Sequence, residues 1–404
     1  MPKVKRELST EGDEEPSAHP PTADEKKPKK KKKKSRSTEE DAIQNSCELT
    51  RKTEIHSEFT GAEYRVKKQL TSGTFGAHYR VEQITDRVDE AHKTFVMKIE
   101  FTCNKGEPMK NSRLLNEIKV LRLIDHVRKE KVRYFKHFLR FIDKGISDGF
   151  LFFMTTNMGP NLNEIREIMQ SDFSSSTAAR LCCLTYEAIW ELHDYGLYMI
   201  HGDIRPTSFV LTPRKSTNVV CLVDFGLSRK AGCEEETEIR DYENLTYVSR
   251  SIHAERALRR RDDLESWFFM CLELFDRNAL PWADDANSAD ILYRKEMMFR
   301  HKYDKRLLKD CNIPAELHHF IVAFNGMLQM SPTSYEHIDA LLQSMIKRLQ
   351  VDMNEEFDWE KTIWGQDGGA DTLKSGSSDR SKAKDDKTKS KTKKSKRSSK
   401  KRDR

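Results

Sequence analysis

Between residues 62 and 350 the apolar and polar positions change rhythm once, and that change divides the chain. Up to about residue 157 the rhythm belongs mainly to strands. Residues 64–70, 77–81 and 94–99 alternate or run apolar in short stretches, and 150–154 is continuously apolar, as a buried strand is. One helix is expected among them over 110–124, where Leu114, Ile118, Leu121 and Ile124 recur at three or four residues. After Pro160 helical spacing takes over. Ser174 to Ser176 offers a cap, and Leu181, Leu184, Ala188 and Leu192 form one stripe. A short strand at 219–223 is followed by helical patterns at 263–275, 287–299, 315–328 and 335–349. The pattern predicts an α+β fold with a small β-rich lobe, a larger helical lobe and a cleft between them.

Both ends depart from this pattern. Residues 1–55 are mixed in charge and contain the run Lys29 to Lys34, while 367–404 is rich in Lys and Ser. Segments of this kind bury too little apolar surface to offset their ordering entropy and are expected to be disordered. The folded unit is then 56–350, with 351–366 (Phe357 and Trp359 among them) packing on the larger lobe.

Charge sharpens the division. The net +7 is carried by the ends: residues 1–40 contribute +3 and 371–404 contribute +10, which leaves −6 for the rest. By charge the folded part is not a nucleic-acid surface, and no specific nucleic-acid module is seen. The lysine runs at 29–34 and 387–402 suit nuclear import or a polyanionic partner, or simply solubility. Eight cysteines without a CxxC pair argue against a zinc ribbon or disulfide framework and for a reducing compartment. The N-terminus is charged, and no apolar run approaches the ~20 residues of a membrane span. An intracellular protein, cytoplasmic or nuclear, is expected.

Two acids carry the chemistry. Asp203, in 198–208, precedes Asp224 of Asp224-Phe225-Gly226 by 21 residues, each on a short loop after apolar residues. Phosphoryl transfer needs such a pair: one orients the acceptor hydroxyl, the other holds the magnesium that neutralises the phosphates. Upstream, Leu70 to Tyr79 contains Gly73 and Gly76, whose missing side chains would let backbone amides approach phosphate oxygens. Lys98 on the third strand and Glu117 on the following helix lie 19 apart, so the lysine could bind the α/β-phosphates while the glutamate directs it.

Over about 62–350 the chain resembles a eukaryotic protein kinase, and several segments narrow the likeness to the casein kinase 1 superfamily, closest to tau-tubulin-kinase-like members. They are Gly159-Pro160-Asn161-Leu162, Asp224 to Arg229, Ser251-Ile252, Arg260 to Ser266, and Leu280-Pro281-Trp282. The resemblance implies a bilobal protein-kinase-like fold, ATP and Mg2+ as cofactors, and serine/threonine transfer to protein substrates. By the same resemblance, Asp263 ties the catalytic loop to the helical core. Arg256 and Arg259 to Arg261 could bind acidic or prephosphorylated substrates.

Departures from the family pattern qualify this. Thr71 stands for the first loop glycine, His78 for the valine above the adenine ring, and Val96 for the alanine beneath it. Gly202 replaces an arginine that reads activation-loop phosphate, so that switch is not expected. Arg205 replaces the lysine that neutralises the moving phosphoryl group. Ser208 replaces the asparagine that ligates a second magnesium; its hydroxyl is a possible ligand, but it lacks the amide that braces the loop. Between Met154 and Gly159 the hinge reads one residue long, leaving Phe153 or Met154 as gatekeeper. Lys98, Glu117, Asp203 and Asp224 all survive, so a slow kinase is expected; the alternative is a pseudokinase scaffold.

Overall fold

The computed structural model describes residues 49–73, 76–85, 93–102, 112–130, 135–147, 149–212, 220–300, 311, 313–327 and 335–363. The expectations for 1–48, for both lysine runs, for 364–404, for Thr74 and Phe75, and for positions 110, 111, 219 and 328 lie outside these residues.

A six-stranded antiparallel sheet forms the first lobe: β1 (Glu54–His56), β2 (Glu63–Ser72), β3 (Gly76–Gln83), β4 (Thr94–Phe101), β5 (Phe141–Ser147) and β6 (Phe150–Thr156), in the order β1-β2-β3-β4-β6-β5. Tyr64, Val66, Tyr79, Val81, Met97, Ile99, Phe152 and Met154 make its core. Helix α1 (Arg113–Glu130) follows β4, and the Glu100 carboxylate accepts from its Leu114 amide at 3.0 Å, filling one of the donors that a helix start leaves open.

Two strands of this lobe were not expected. In β5, the inward position is taken by Asp143, which accepts from Ser57 Oγ and Tyr64 Oη, each at 2.7 Å. A polar residue there hides the strand rhythm. Gly145 hides it further, yet a Cβ at that position would meet the Phe152 ring at 2.5 Å. Strand β1 carries only Ile55 into the core, and it corrects the boundary at 55: the sheet already includes Glu54 and Ile55.

The second lobe is helical: α2 (Leu162–Met169), α3 (Ser175–His193), α4 (Arg250–His253), α5 (Arg260–Phe275), α6 (Ser288–Arg300), α7 (Glu316–Met327), α8 (Tyr335–Arg348) and α9 (Glu360–Ile363). Short pairs β7 (Met199–Ile200) with β10 (Arg229–Lys230), and β8 (Phe209–Leu211) with β9 (Val220–Leu222), clamp the loops between α3 and α4. Helices α3 and α5 meet at the centre, where Trp267 Nε1 donates to Thr185 Oγ1 at 3.0 Å. Phe357 stacks on Trp359 with centroids 4.4 Å apart, and the Arg180 guanidinium lies 4.0 Å over Phe357. Residues 351–363 therefore lie on the helical lobe. No described helix is long and apolar enough to cross a membrane.

Candidate active site

Strand β4 brings Lys98 to the cleft, and its ammonium donates to Glu117 Oε2 and Asp224 Oδ1, both at 2.7 Å. Residues 98, 117 and 224 thus meet at one point. The Asp224 amide donates to the other oxygen of Glu117 at 3.2 Å. Burial alone would lower the Lys98 pKa, but the carboxylates of Asp224 and Glu117 outweigh it and hold the pKa above its ordinary value. Burial pulls Asp224 upward, and Lys98 more than reverses this, so Asp224 stays ionised. Glu117 is the member that burial pushes up, against the pull of Lys98.

The loop carrying Asp224 is held from α1. Asn116 Nδ2 donates to the carbonyls of Phe225 and Gly226 at 3.2 Å and of Ser228 at 2.7 Å. Asp224 itself sits at φ 67, an uncommon conformation for a residue with a side chain. Phe225 is buried against His201, with centroids 5.3 Å apart. Sequence reasoning missed Asn116. A polar residue beside Glu117 on a helix gives no signal of its own.

Asp203 follows β7. Burial pushes its carboxyl up and the Arg205 guanidinium opposes the shift, with Arg205 Nε 3.3 Å from Oδ2. His201 fixes the backbone: its Nε2 donates to the Val223 carbonyl at 2.8 Å, leaving Nδ1 to accept from the Asp203 amide at 3.2 Å. Beneath the loop lies Asp263. Its oxygens accept from the amides of His201 at 2.6 Å and Gly202 at 2.8 Å, and His193 Nε2 adds a contact at 2.8 Å. Gly202 has φ +85, and a Cβ there would meet the Leu227 carbonyl at 2.9 Å. Its lack of a side chain therefore suits this loop.

Several site expectations need correcting. Ser208 was expected to leave the loop unbraced and to offer a metal ligand. It is fully buried, and its hydroxyl donates to the Asp203 carbonyl at 2.7 Å. It braces the loop through that bond, in place of the missing amide. Neither Phe153 nor Met154 is the gatekeeper. In the β4–β6 register Lys98 pairs with Phe153 and Val96 with Thr155, whereas Met154 pairs with Met97 inside the sheet core. Cross-strand partners share a face, so the residue opposite Val96 next to the hinge is Thr155. The apparent extra hinge residue belongs to β6, which runs to Thr156.

At the roof, Thr71 and His78 are partners: Thr71 Oγ1 and His78 Nδ1 lie 2.7 Å apart. His78 also pairs with Lys98 across β3–β4. Gly73 closes the turn, its amide donating to the Gly76 carbonyl at 2.9 Å. A Cβ on Gly76 would strike the Ile99 carbonyl at 1.9 Å, so this glycine answers first to strand packing. Leu70 is half-buried at the end of β2, and Val96 is buried.

Do these residues suit a nucleotide triphosphate and magnesium? Thr207 Oγ1 is buried without a hydrogen-bond partner, Arg205 Nε has the 3.3 Å ion pair with Asp203, and Lys98 is held by Glu117 and Asp224. That set suits phosphate oxygens. Asp224 suits one divalent cation. Among the described residues no group of three His, Cys, Asp or Glu could hold a metal alone, so the ion would take most ligands from phosphate and water, as magnesium does. Ser208 Oγ gives its proton to the Asp203 carbonyl, so only its lone pairs are left for a second ion.

Histidines make a pH prediction. Burial, then the Lys98 charge, push His78 down to about 4; burial, then Lys295, push His253 down to about 3. Both stay neutral when folded and protonate near 6.5 when unfolded, so the unfolded chain binds more protons below that pH. Their stabilisation is complete above about pH 6.5 and is lost as pH falls toward 4. Asp262, which burial raises to about 6, acts in the opposite direction. Urea unfolding at pH 7 and pH 5 should show His78→Val losing about 1–2 kcal/mol less than wild type, after discounting for the ring's partial exposure. Equal losses would refute this account of His78.

Comparison with known proteins agrees with this geometry. The protein kinase domain family model matches residues 64–346. ZK507.3 of Caenorhabditis elegans, whose name proposes a serine/threonine-protein kinase, is 30% identical over 223 residues, covering 54% of each chain. Casein kinase I homolog 1 of Schizosaccharomyces pombe is 25% identical over 228 residues, covering 54% of this chain and 50% of that one. The chain thus spans about half the length of these relatives. Among solved structures, vaccinia related kinase 3 superposes with a TM-score of 0.60 at 16% identity, covering 79% of this chain and 98% of its own, a likeness of fold.

Proposed function

We propose, from the premise that this chain belongs to the protein kinase family, that it transfers the γ-phosphoryl group of ATP to serine or threonine of protein acceptors, and does so slowly. The observation that carries this reading is the Lys98 ammonium held at 2.7 Å by both Glu117 and Asp224. A lysine fixed from two sides presents its charge without reorganising, which is how electrostatic stabilisation is made effective.

In this proposal Lys98, directed by Glu117, binds phosphate oxygens, and Gly73 and Gly76 cover them. Leu70, His78 and Val96 face the nucleotide base and ribose side of the cleft. Magnesium, when bound, neutralises the phosphates; Asp224 would hold it. Asp203 orients the acceptor hydroxyl and draws its proton, and Arg205 stabilises charge on the moving group. Slowness rests on Ser208, which is committed to bracing the loop, and on the polar His78 at the roof.

Acidic or prephosphorylated acceptors receive weaker support. Arg259 is engaged by Glu234 at 2.8 and 2.9 Å, and Arg260 lies 5.6 Å over Tyr198. A substrate phosphate would have to displace Glu234. The exposed residues Glu235, Glu236, Glu238, Asp241 and Glu243 add further negative charge. A casein kinase 1 or tau-tubulin-kinase-like placement, a polyanionic partner for the lysine runs and an intracellular location stand as proposals on the sequence features above.

The second reading is a pseudokinase scaffold, favoured by the burial of Ser208. Thermal unfolding separates the two. We expect ATP to raise the Tm only when magnesium is present, and labelled phosphate to pass from ATP to casein. A folded protein with neither response rules for the scaffold.

A further inference from the structure

Lys295, on α6, is fully buried far along the chain from the cleft residues. Burial pushes its pKa well below the usual lysine range, and Glu265 only partly offsets this. Among the described residues no carboxylate forms an ion pair with it. Its Nζ instead donates to the Leu245 carbonyl at 2.8 Å and the Val248 carbonyl at 2.7 Å, and lies 3.2 Å from His253 Nε2. His253 Nδ1 in turn lies 2.9 Å from Ser288 Oγ. The rings of Phe269 and Trp282 stand 5.0 and 5.6 Å from the nitrogen.

This arrangement fills every position on Nζ in either protonation state. As an ammonium it gives two protons to the carbonyls and one to His253. As an amine it gives two to the carbonyls and accepts from His253, whose other nitrogen then accepts from Ser288. Taking an amine this deep is costly, and an apolar side chain of similar length would fill the volume. What the lysine alone provides is the inward direction of two backbone carbonyls.

Those carbonyls belong to the stretch that lies against the catalytic loop. Val248 packs with Ile200, Ile252 and Leu258, and Ile200 is three residues before Asp203. The charges of Arg205 and Asp203 reach Tyr247 and Tyr242 respectively. Further handles on the stretch come from the helical lobe: Trp282 Nε1 donates to the Thr246 carbonyl at 2.9 Å, and Tyr247 Oη donates to Glu273. Arg250 then closes it on Glu265 through its amide and guanidinium, at 2.8 and 3.0 Å.

We infer that Lys295 is a positioning residue for the protein acceptor, holding 245–249 in the shape that receives the segment around the target hydroxyl. The inference rests on the kinase reading proposed above and deepens it. Lys295 touches neither nucleotide nor reacting atoms, so its removal should act on acceptor binding and spare ATP.

The test uses the full chain, Lys295→Met, and casein as acceptor. We expect the KM for casein to rise at least tenfold, while the KM for ATP and the ATP-dependent Tm shift stay within twofold. Hydrogen exchange at amides 246–249 should quicken, with α3 and α5 unchanged. Ser288→Ala, which trims only the outer end of the chain of contacts, should give a smaller rise of about two- to fivefold, and it replaces Lys295→Met if that variant does not fold. A casein KM within twofold of wild type, or parallel rises for casein and ATP, overturns the inference. If wild type transfers no phosphate, the kinase reading has failed. Casein binding by anisotropy, together with exchange at 246–249, then decides the role of Lys295: unchanged values in the variant overturn it.

Discussion

Asparagine in place of Asp203 lowers the rate of phosphoryl transfer about 10²–10⁴-fold while leaving ATP affinity within twofold. The substitution keeps the size of the side chain and removes its ability to take a proton. Nothing that positions the nucleotide changes, since Lys98, Glu117 and Asp224 hold one another and make no hydrogen bond to Asp203 among those observed. Nor does the loop move, because its amides remain fixed by His201 and Asp263. Labelled-phosphate transfer to casein measures the first effect and the nucleotide-dependent Tm shift the second. A variant within tenfold of the wild-type rate would remove Asp203 from the chemistry.

The largest effect on stability is expected from Asp263→Ala. Two amides and an imidazole converge on this buried carboxylate, and hydrogen bonding from His193 is the main influence that overcomes burial and lowers its pKa. Without it, the N–H groups of His201 and Gly202 are left dry and unpaired. Removing one partner from a buried, charge-assisted set costs about 3–5 kcal/mol. Urea unfolding of wild type and variant gives the number directly; a loss below ~1 kcal/mol would mean that water replaces the carboxylate. Activity should fall as well, because the same amides set the path of the chain into Asp203.

Much of this was legible in the sequence because charge and spacing are local quantities. Lys98, Glu117, Asp203 and Asp224 announce themselves through their loops and strands, and the change of rhythm near 157 marks the two lobes. What stayed hidden depends on partners distant in sequence. Strand β5 was missed because Asp143 occupies an inward position, a choice that makes sense only beside Ser57 and Tyr64. Gatekeeper assignment needed the pairing of β4 with β6, which no count of hinge residues supplies. Ser208 looked unable to brace the loop until its hydroxyl was seen to donate to the Asp203 carbonyl. Asn116 became informative only through three carbonyls more than a hundred residues away.

The contact between Thr71 and His78 sets how the roof of this cleft meets solvent. Thr71 is exposed, so with glycine at 71 the ring nitrogen would turn to water, and with valine at 78 the hydroxyl would do the same. The pair therefore adds little stability of its own. What it does is orient an imidazole across the strands from Lys98, placing a polar edge where the nucleotide enters.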